Sequence, residues 1–291
     1  MDQNTSRAFC IVTDRGFLPG ARALVNSIWA YHRDHVAIAI YQRGLAQDEL
    51  SWFWEHPARP IIHDLDQMAG AHRGMWECKQ QALAWELKRH RLVYLLDADT
   101  VLCSAVDDVF DFAAAGFIVS SLDGEGVQYD DRFSSYGITA GTRSIYINSG
   151  AICLDLVEHW RVVALWSFAA NHAAYSGAPP PLQLHGHGDQ GVLNAIISGM
   201  DICDSVYRLS ASEWCDSGLK SIPRIIGTRE LGALKVINSV TGLQQRIIHS
   251  TGPKWWTARG AVHNARFGDK LRIFEHFANM EYHRATQIAS A

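Results

Sequence analysis

Leu92-Val93-Tyr94-Leu95-Leu96-Asp97-Ala98-Asp99-Thr100 is an apolar run that ends abruptly in two carboxylates with one small residue between them. The run is short, β-branched and aromatic, and it follows the charged segment Lys88-Arg89-His90-Arg91, so it reads as a buried sheet strand and not as a helix. Strand alternation and the turn beyond it aim Asp97 and Asp99 toward one crevice at the carboxyl edge of a sheet, where open α/β sheets bind ligands. Two hard oxygen donors on a rigid support suit magnesium or manganese, ions that take one or two carboxylates and complete their shell with water and substrate phosphates. The implied substrate is a phosphate or diphosphate. Asp64-Leu65-Asp66 repeats the spacing after the much shorter run Ile61-Ile62, and it reads as a solvated strand end. The Asp97 pair is set apart by its longer strand and by the Thr100-Val101-Leu102 continuation.

At 291 residues the chain is long enough to bury a large core in one sizeable α/β domain or two small ones. Its net charge of -4 and pI near 6.4, without a dense Lys/Arg stripe, argue against a nucleic-acid partner, so substrate phosphates must be met locally. No apolar run has membrane-spanning length, and Met1 to Ser6 lacks the basic and apolar regions of a signal peptide, which makes the cytosol the expected compartment. The six cysteines are scattered and mostly lie in apolar segments, which suggests neither a zinc site nor a disulfide framework. Ten tryptophans permit a sugar ligand, though most aromatic residues simply pack.

Outward from the Asp97 run the pattern is βαβ. Ala8 to Thr13 reads as a first buried strand; Leu24, Ile28 and Tyr31 recur at helical spacing; Val36 to Tyr41 is a second strand; and a helix from Trp76 to His90 leads into the Asp97 strand. Alternation of this kind predicts a mostly parallel central sheet flanked by helices. Phe117 to Val119, Ile145 to Ile147, Ala151 to Leu154 and Arg246 to Ile248 are further strand candidates. Two long polar loops, Asp123 to Arg143 and Asn171 to Gly188, have lengths that usually serve binding. Ser210 to Gln245 shows no sustained periodicity, and Phe267 to Gln287 reads as a packing helix with Ile273, Phe274, Phe277 and Met280 on one face.

Four more segments accompany the Asp97 motif in a particular order: Lys79 in the preceding helix, Asn148-Ser149-Gly150 ending a strand, Gly188-Asp189-Gln190-Gly191-Val192-Leu193-Asn194 opening a helix, and His249-Ser250-Thr251-Gly252-Pro253-Lys254-Trp255-Trp256. At these residues, from the first strand to about Trp256, the chain resembles the glycogenin-like family-eight glycosyltransferases.

The resemblance implies a single GT-A domain over 1–291, with a nucleotide-binding half (7–105), a sugar- and acceptor-binding half (106–266) and a C-terminal packing helix (267–291). It implies manganese, with magnesium as the alternative, held by Asp97, Asp99 and His249, the imidazole being a borderline donor that suits manganese better than calcium. Taken alone, His249 reads as a histidine capping a strand, Lys254 as a solvated loop lysine, and Asp189 as a helix N-cap. The resemblance instead puts Lys254 on the donor diphosphate, where leaving-group charge grows, and gives Asp189 and Gln190 the positive charge developing on the sugar. Thr13, Asp14 and Phe17 would contact the nucleoside; Lys79 the donor phosphates or sugar; Gly252 the phosphates; Ala98 would join the donor site; and Asp123, Asn148, Ser149 and Gly150 would contact the donor sugar. Many relatives carry tyrosine where this chain has Phe17, and often proline where it has Trp255, which could reshape the loop over the diphosphate.

The activity so implied is retaining transfer of a hexose, glucose or galactose, from a UDP-sugar to a saccharide, glycoconjugate or other hydroxyl acceptor. Front-face displacement and double displacement through a covalent adduct are both conceivable, and the first is preferred. A strand ending Asp97-x-Asp99-Thr100-Val101 also resembles the nucleophile motif of haloacid-dehalogenase phosphatases, although that motif normally lies on the first strand. A third reading is a sugar-nucleotide binding protein without transfer activity. Neither oligomeric state nor acceptor identity is legible in the sequence.

Overall fold

A seven-stranded sheet carries the chain, and its central strands are apolar on both faces. The computed structural model describes residues 6–33, 36–68, 78–125, 145–175, 188–210, 212–216, 222–229, 232–250 and 252–280. In order these form β1 (Arg7–Asp14), α1 (Leu18–His32), β2 (Ala37–Arg43), α2 (Gln47–Glu55), β3 (Ile61–Asp64), α3 (Cys78–Glu86), β4 (Leu92–Asp97), β5 (Thr100–Leu102), α4 (Asp107–Ala114), β6 (Ile118–Glu125), β7 (Ile145–Asp155) and α5 (Trp160–Tyr175). There follow α6 (Gly188–Gly199), β8 (Val206–Leu209), β9 (Trp214–Asp216), β10 (Pro223–Thr228), β11 (Leu234–Asn238), β12 (Ile247–His249), α7 (Ala258–Asn264) and α8 (Lys270–Ala278).

Strand alternation distributes one apolar run between two cores. Along β4, Val93 and Leu95 join the cluster that contains Trp166 and Ile196, while Leu92, Tyr94 and Leu96 join the cluster on the other face with Ile28 and Phe110. The sheet order is β3-β2-β1-β4-β7-β6-β8. The first four strands are parallel, β7 runs antiparallel to β4 and β6, and β8 is parallel to β6. The chain moves outward from β1 through β2 to β3, then returns to lay β4 on the other side of β1. This reversal makes the carboxyl ends of β1 and β4 a topological switch point, where a crevice opens.

A small sheet, β5-β12-β9, stands over that crevice. β12 pairs antiparallel with β5 in a register that sets His249 opposite Thr100, Ile248 opposite Val101 and Ile247 opposite Leu102. α8 packs on α1: Asn26 Nδ2 donates to the Phe277 carbonyl at 2.6 Å, and Ile273, Phe274 and Phe277 are buried, as the apolar face of the tail predicts.

Several expectations change. Ile145 to Ile147 and Ala151 to Leu154 are not two strands but the ends of one, β7, so Asn148-Ser149-Gly150 lies in its middle instead of ending it. These residues interrupt the apolar pattern because Ser149 reaches Asp189 and Gly150 lies against His249 and Asp97. The helix expected from Trp76 spans Cys78–Glu86, with Trp76 outside the described residues. α2, α4 and α5 were not anticipated, and the aperiodic region 210–245 contains the β10–β11 hairpin. Most of the two long polar loops, 126–144 and 176–187, and the tail beyond Met280 lie outside the described residues.

Candidate active site

Asp97 ends β4 and Asp99 lies in the turn into β5, while β12 brings in His249 through its register with β5. The Ser250 N–H donates to the Asp99 carbonyl at 2.9 Å, locking the two segments together. His249 Nε2 lies 3.2 Å from Asp99 Oδ1 and 3.6 Å from Asp97 Oδ2. The remaining oxygen of each carboxylate faces an ammonium: Lys79 Nζ is 2.5 Å from Asp97 Oδ1, and Lys254 Nζ is 2.5 Å from Asp99 Oδ2. Each carboxylate therefore presents one oxygen toward the imidazole and gives the other to a lysine. Supports of this type orient metal ligands.

The donor set fits a divalent ion. One atom each from Asp97, Asp99 and His249 lie within 4.8 Å of one another, and adjacent ligands around an octahedral ion with bonds of about 2.1 Å are about 3 Å apart. A Cβ built on Gly150 would fall 2.6 Å from His249 Cε1 and 2.7 Å from Asp97 Oδ2, so the strand opposite has kept this pocket clear. Charge points the same way. Asp97, Asp99 and Asp189 outnumber Lys79 and Lys254, which leaves one unit of negative charge; a divalent ion makes the site positive, as a diphosphate requires.

Lys79 links this cluster to Asp189, whose Oδ2 lies 3.0 Å from Nζ and accepts from Ser149 Oγ at 3.1 Å. Asp189 stands in the first turn of α6, and its Oδ2 serves both of these partners. The Ser149 N–H donates to Gln190 Oε1 at 3.1 Å, and Asn194 pins α6 to β7 by exchanging two hydrogen bonds with the Ile147 backbone at 2.7 and 2.8 Å. α3 is anchored two turns beyond Lys79, where buried Glu86 accepts from Tyr41 at 2.5 Å and meets His90 Nδ1 at 2.5 Å.

The electrostatics follow from burial and neighbours. Burial alone would lower the Lys79 ammonium, but Asp189 and Asp97 hold it well above the ordinary lysine range. Burial would raise Asp99, yet His249 and Lys254 outweigh it and keep the carboxyl well below its usual range. Asp189 moves upward because it is buried and faces Asp97, with Lys79 and Ser149 opposing.

The architecture has known counterparts. GlyE, a glycosyltransferase of Streptococcus pneumoniae, aligns with a TM-score of 0.58 at 14% identity, over 95% of this chain and 61% of GlyE. The galactosyltransferase LgtC, solved with donor and acceptor sugar analogs, aligns with a TM-score of 0.56 at 14% identity, over 96% of this chain and 98% of LgtC. The bifunctional glycosyltransferase WbbM gives 0.55 at 14% identity, over 96% of this chain and 50% of WbbM. The chain has the GT-A fold. It spans about three-fifths of GlyE and half of WbbM. No protein-family profile and no curated protein sequence matches it.

Within this GT-A framework the remaining candidates take definite places. Thr13 is buried at the end of β1, and its hydroxyl donates to the Asp14 carbonyl at 3.3 Å. Asp14 Oδ1 accepts from the Phe17 N–H at 3.1 Å and so caps the turn Arg15–Phe17. Phe17 lies under Lys254 Nζ, 5.2 Å from the ring centroid. Asn148 Oδ1 accepts from the Gly150 N–H at 2.7 Å. Ala98 is buried, and its carbonyl would be 2.4 Å from a Cβ on Gly20, which brings α1 against the Asp97 turn. Asp123 falls in β6, with a side chain outside the described residues.

The late loop takes a definite form. Gly252 adopts a φ of +82°, a backbone conformation that favours glycine, with no protein atom within 4 Å of where a Cβ would be. Trp255 is buried and stacks on Phe274 at 5.4 Å. Trp256 is the tryptophan beside the crevice, edge-on to Phe17 at 5.8 Å and in contact with Gly20. Neither the sequence pattern nor the resemblance marked Trp256, nor Trp166, whose indole N–H donates to the Asp189 carbonyl at 3.1 Å. Asn264 in α7 donates to the Gly260 carbonyl at 2.8 Å, on the turn of helix packed directly against the Lys254 backbone.

The Asp64 pair behaves as a strand end. Asp64 Oδ1 accepts from the Asp66 N–H at 2.9 Å, and Asp66 pairs with Arg43 at 3.0 Å, on the edge strand β3. Cys10, Cys78, Cys103, Cys153 and Cys203 are buried, and burial pushes the Cys10, Cys103 and Cys153 thiols up.

Proposed function

We propose that the chain is a metal-dependent, retaining hexosyltransferase that moves glucose or galactose from a UDP-sugar to a hydroxyl of a saccharide or glycoconjugate in the cytosol. The observation that carries this reading is the Asp97-Asp99-His249 cluster, braced by Lys79 and Lys254, at the switch point of a GT-A sheet. Asp97 Oδ2, Asp99 Oδ1 and His249 Nε2 would hold the ion, manganese by preference. A divalent ion bound there neutralises charge on the diphosphate and on the leaving group.

The chain's own residues supply the rest. We assign the nucleoside to Thr13, Asp14 and Phe17 at the end of β1, and the donor phosphates to Lys79, Ala98 and the Gly252 turn. Lys254 would shift a charge-assisted hydrogen bond onto a phosphate oxygen as the leaving group gains charge. Asp123, Asn148, Ser149 and Gly150 would address the sugar. Asp189, held by Lys79 and Ser149, supplies a fixed negative charge for an oxocarbenium-like transition state, with Gln190 beside it. In the front-face route the acceptor oxygen forms its bond to the anomeric carbon as the carbon–oxygen bond to the diphosphate breaks, and the departing diphosphate takes the acceptor proton. Residues 7–105 would then serve the nucleotide, 106–266 the sugar and acceptor, and 267–291 packing.

The phosphatase reading loses its footing in this geometry. Asp97 is on the fourth strand of the chain, and its two oxygens face Lys79 and His249 instead of an open nucleophilic approach. The test of the proposal is the anomeric configuration of the product formed from a UDP-hexose, read by proton NMR. Retention supports the assignment, and inversion would overturn the retaining mechanism.

A further inference from the structure

The Lys254 ammonium has two partners besides Asp99. It donates to the Ser250 carbonyl at 3.3 Å, and it lies over the Phe17 ring, 5.2 Å from the centroid. One cation is therefore shared between a carboxylate of the candidate metal site and the aromatic ring assigned above to the nucleoside. An aromatic ring stacked on Phe17 would place its centroid about 4.5–7 Å away, the shell that the ammonium already occupies. A nucleobase and the ammonium cannot both stand over the same face.

The surroundings of the ammonium are fixed, and the lysine stem is not. The Lys254 carbonyl accepts from the Thr257 N–H at 2.9 Å and from the Thr257 hydroxyl at 2.8 Å, while Gly260 leaves no room for a Cβ against it, so the backbone is pinned to the start of α7. Phe17 is held at its N–H by Asp14 Oδ1, packs against the core cluster of Leu18 and Ile28, and meets Trp256 edge-on at 5.8 Å. Trp256 in turn rests on Gly20, with a ring atom 2.7 Å from where a Cβ would lie. By contrast, the lysine side chain is 28% exposed and has a flexible four-carbon stem, so it can swing while the ring stays.

We propose that Lys254 is a two-position residue that gates Phe17: Asp99 and the ring hold the ammonium in the nucleotide-free chain, and a diphosphate draws it away, uncovering the aromatic face for the base. The inference rests on the nucleoside and diphosphate assignments of the proposed function. A phosphate oxygen offers the ammonium a charge-assisted hydrogen bond, stronger than its attraction to the ring. A divalent ion held by Asp99 weakens that carboxylate's grip on the lysine, which favours the same exchange. Base and diphosphate then bind cooperatively, and the site prefers a nucleoside diphosphate to the bare nucleoside by more than its phosphate contacts alone supply.

Uridine, inorganic pyrophosphate and Mn2+ test this on the wild-type chain, with uridine affinity read by saturation-transfer NMR. We expect uridine to bind about two- to fivefold more tightly once pyrophosphate is added to the Mn2+-loaded chain, the factor set by one cation–π contact at a partly exposed site. Lys254→Ala should show the tighter uridine binding without pyrophosphate and should no longer respond to it; far-UV circular dichroism checks that the variant folds. Uridine affinity that ignores pyrophosphate in wild type or falls with it, a folded Lys254→Ala chain that binds uridine no more tightly than wild type, or no uridine binding under any of these conditions overturns the proposal. UDP that fails to bind with Mn2+ overturns the site assignment as well, whereas UDP that binds while uridine and pyrophosphate ignore each other overturns the exchange alone.

Discussion

Replacing Gly150 by alanine places a methyl group where the site has no room. Its Cβ would lie 2.6 Å from His249 Cε1, 2.7 Å from Asp97 Oδ2 and 3.0 Å from Asn148 Oδ1. Relaxed contacts between carbon atoms begin at about 3.5 Å, so the imidazole must retreat by about 1 Å. It cannot do so freely, because His249 is held in register with Thr100 on β5 and Asp97 is tied to Lys79. Metal sites tolerate ligand displacements of only about 0.2 Å. We therefore expect Gly150→Ala to lose about 10–100-fold in Mn2+ affinity, the range seen when a ligand's support is removed. Overpacking costs about 1–3 kcal/mol, which leaves the chain folded with a lower Tm. The assay is a Mn2+ titration followed by electron paramagnetic resonance of the free ion, beside thermal unfolding. Gly191→Ala, where the added Cβ meets nothing within 4 Å, is the control and should change neither quantity adversely. A folded Gly150→Ala protein that binds Mn2+ as wild type does would refute the reasoning.

Lys79→Met leaves Asp97 and Asp189 facing each other without their shared cation, and urea unfolding should register a loss of about 3 kcal/mol, partly recovered when Asp189→Asn is added; undiminished stability would contradict the bridge. His56 is held neutral, since Nδ1 accepts from the Ala58 N–H at 3.1 Å and Nε2 meets Asn26 Oδ1 at 2.9 Å, and burial pushes its pKa down to about 4 from 6.5. The unfolded chain therefore takes up this proton first as pH falls, so His56 contributes stability that is complete above about pH 6.5, declines toward pH 4 and is flat below. The difference between wild type and His56→Asn in urea midpoints should shrink over that window, and a pH-independent difference would exclude the linkage. Asp64→Asn with Asp66→Asn should leave Mn2+ affinity unchanged, because that pair caps a turn on the edge strand; a loss of binding would move the metal site.

The strand before Asp97 was legible because a strand buried on both faces must be apolar throughout, and β1 carries the same signature. β7 was read as two pieces because Asn148, Ser149 and Gly150 serve the crevice in mid-strand, and no periodicity rule restores a strand across them. α4 did leave a trace, with Asp107 and Asp108 in its first turn and Val109, Phe110 and Ala113 at helical spacing, whereas in the half-exposed β10–β11 hairpin burial alternates but apolar Ile226 sits at an exposed position, so residue type does not follow burial.

The site divides in the same way. Residue types and their order along the chain brought Asp97, Asp99, His249, Lys79 and Asp189 into consideration, but the partition of carboxylate oxygens between imidazole and ammonium depends on register and helix placement. The β5–β12 pairing joins segments far apart in sequence, and nothing local encodes it. Trp255 and Trp256 make the point at single-residue scale: adjacent indoles, one stacked in the core on Phe274 and one beside Phe17 at the crevice, are distinguished only by the packing of α8.

The most direct test is release of nucleoside diphosphate from a panel of nucleotide sugars, with Mn2+ and with chelator, for wild type and for Asp97→Asn with Asp99→Asn. The account predicts Mn2+-dependent release from a UDP-hexose that the paired substitution abolishes. Release that survives chelator and the double substitution, or cleavage of a simple phosphate ester with no release from any nucleotide sugar, would contradict it.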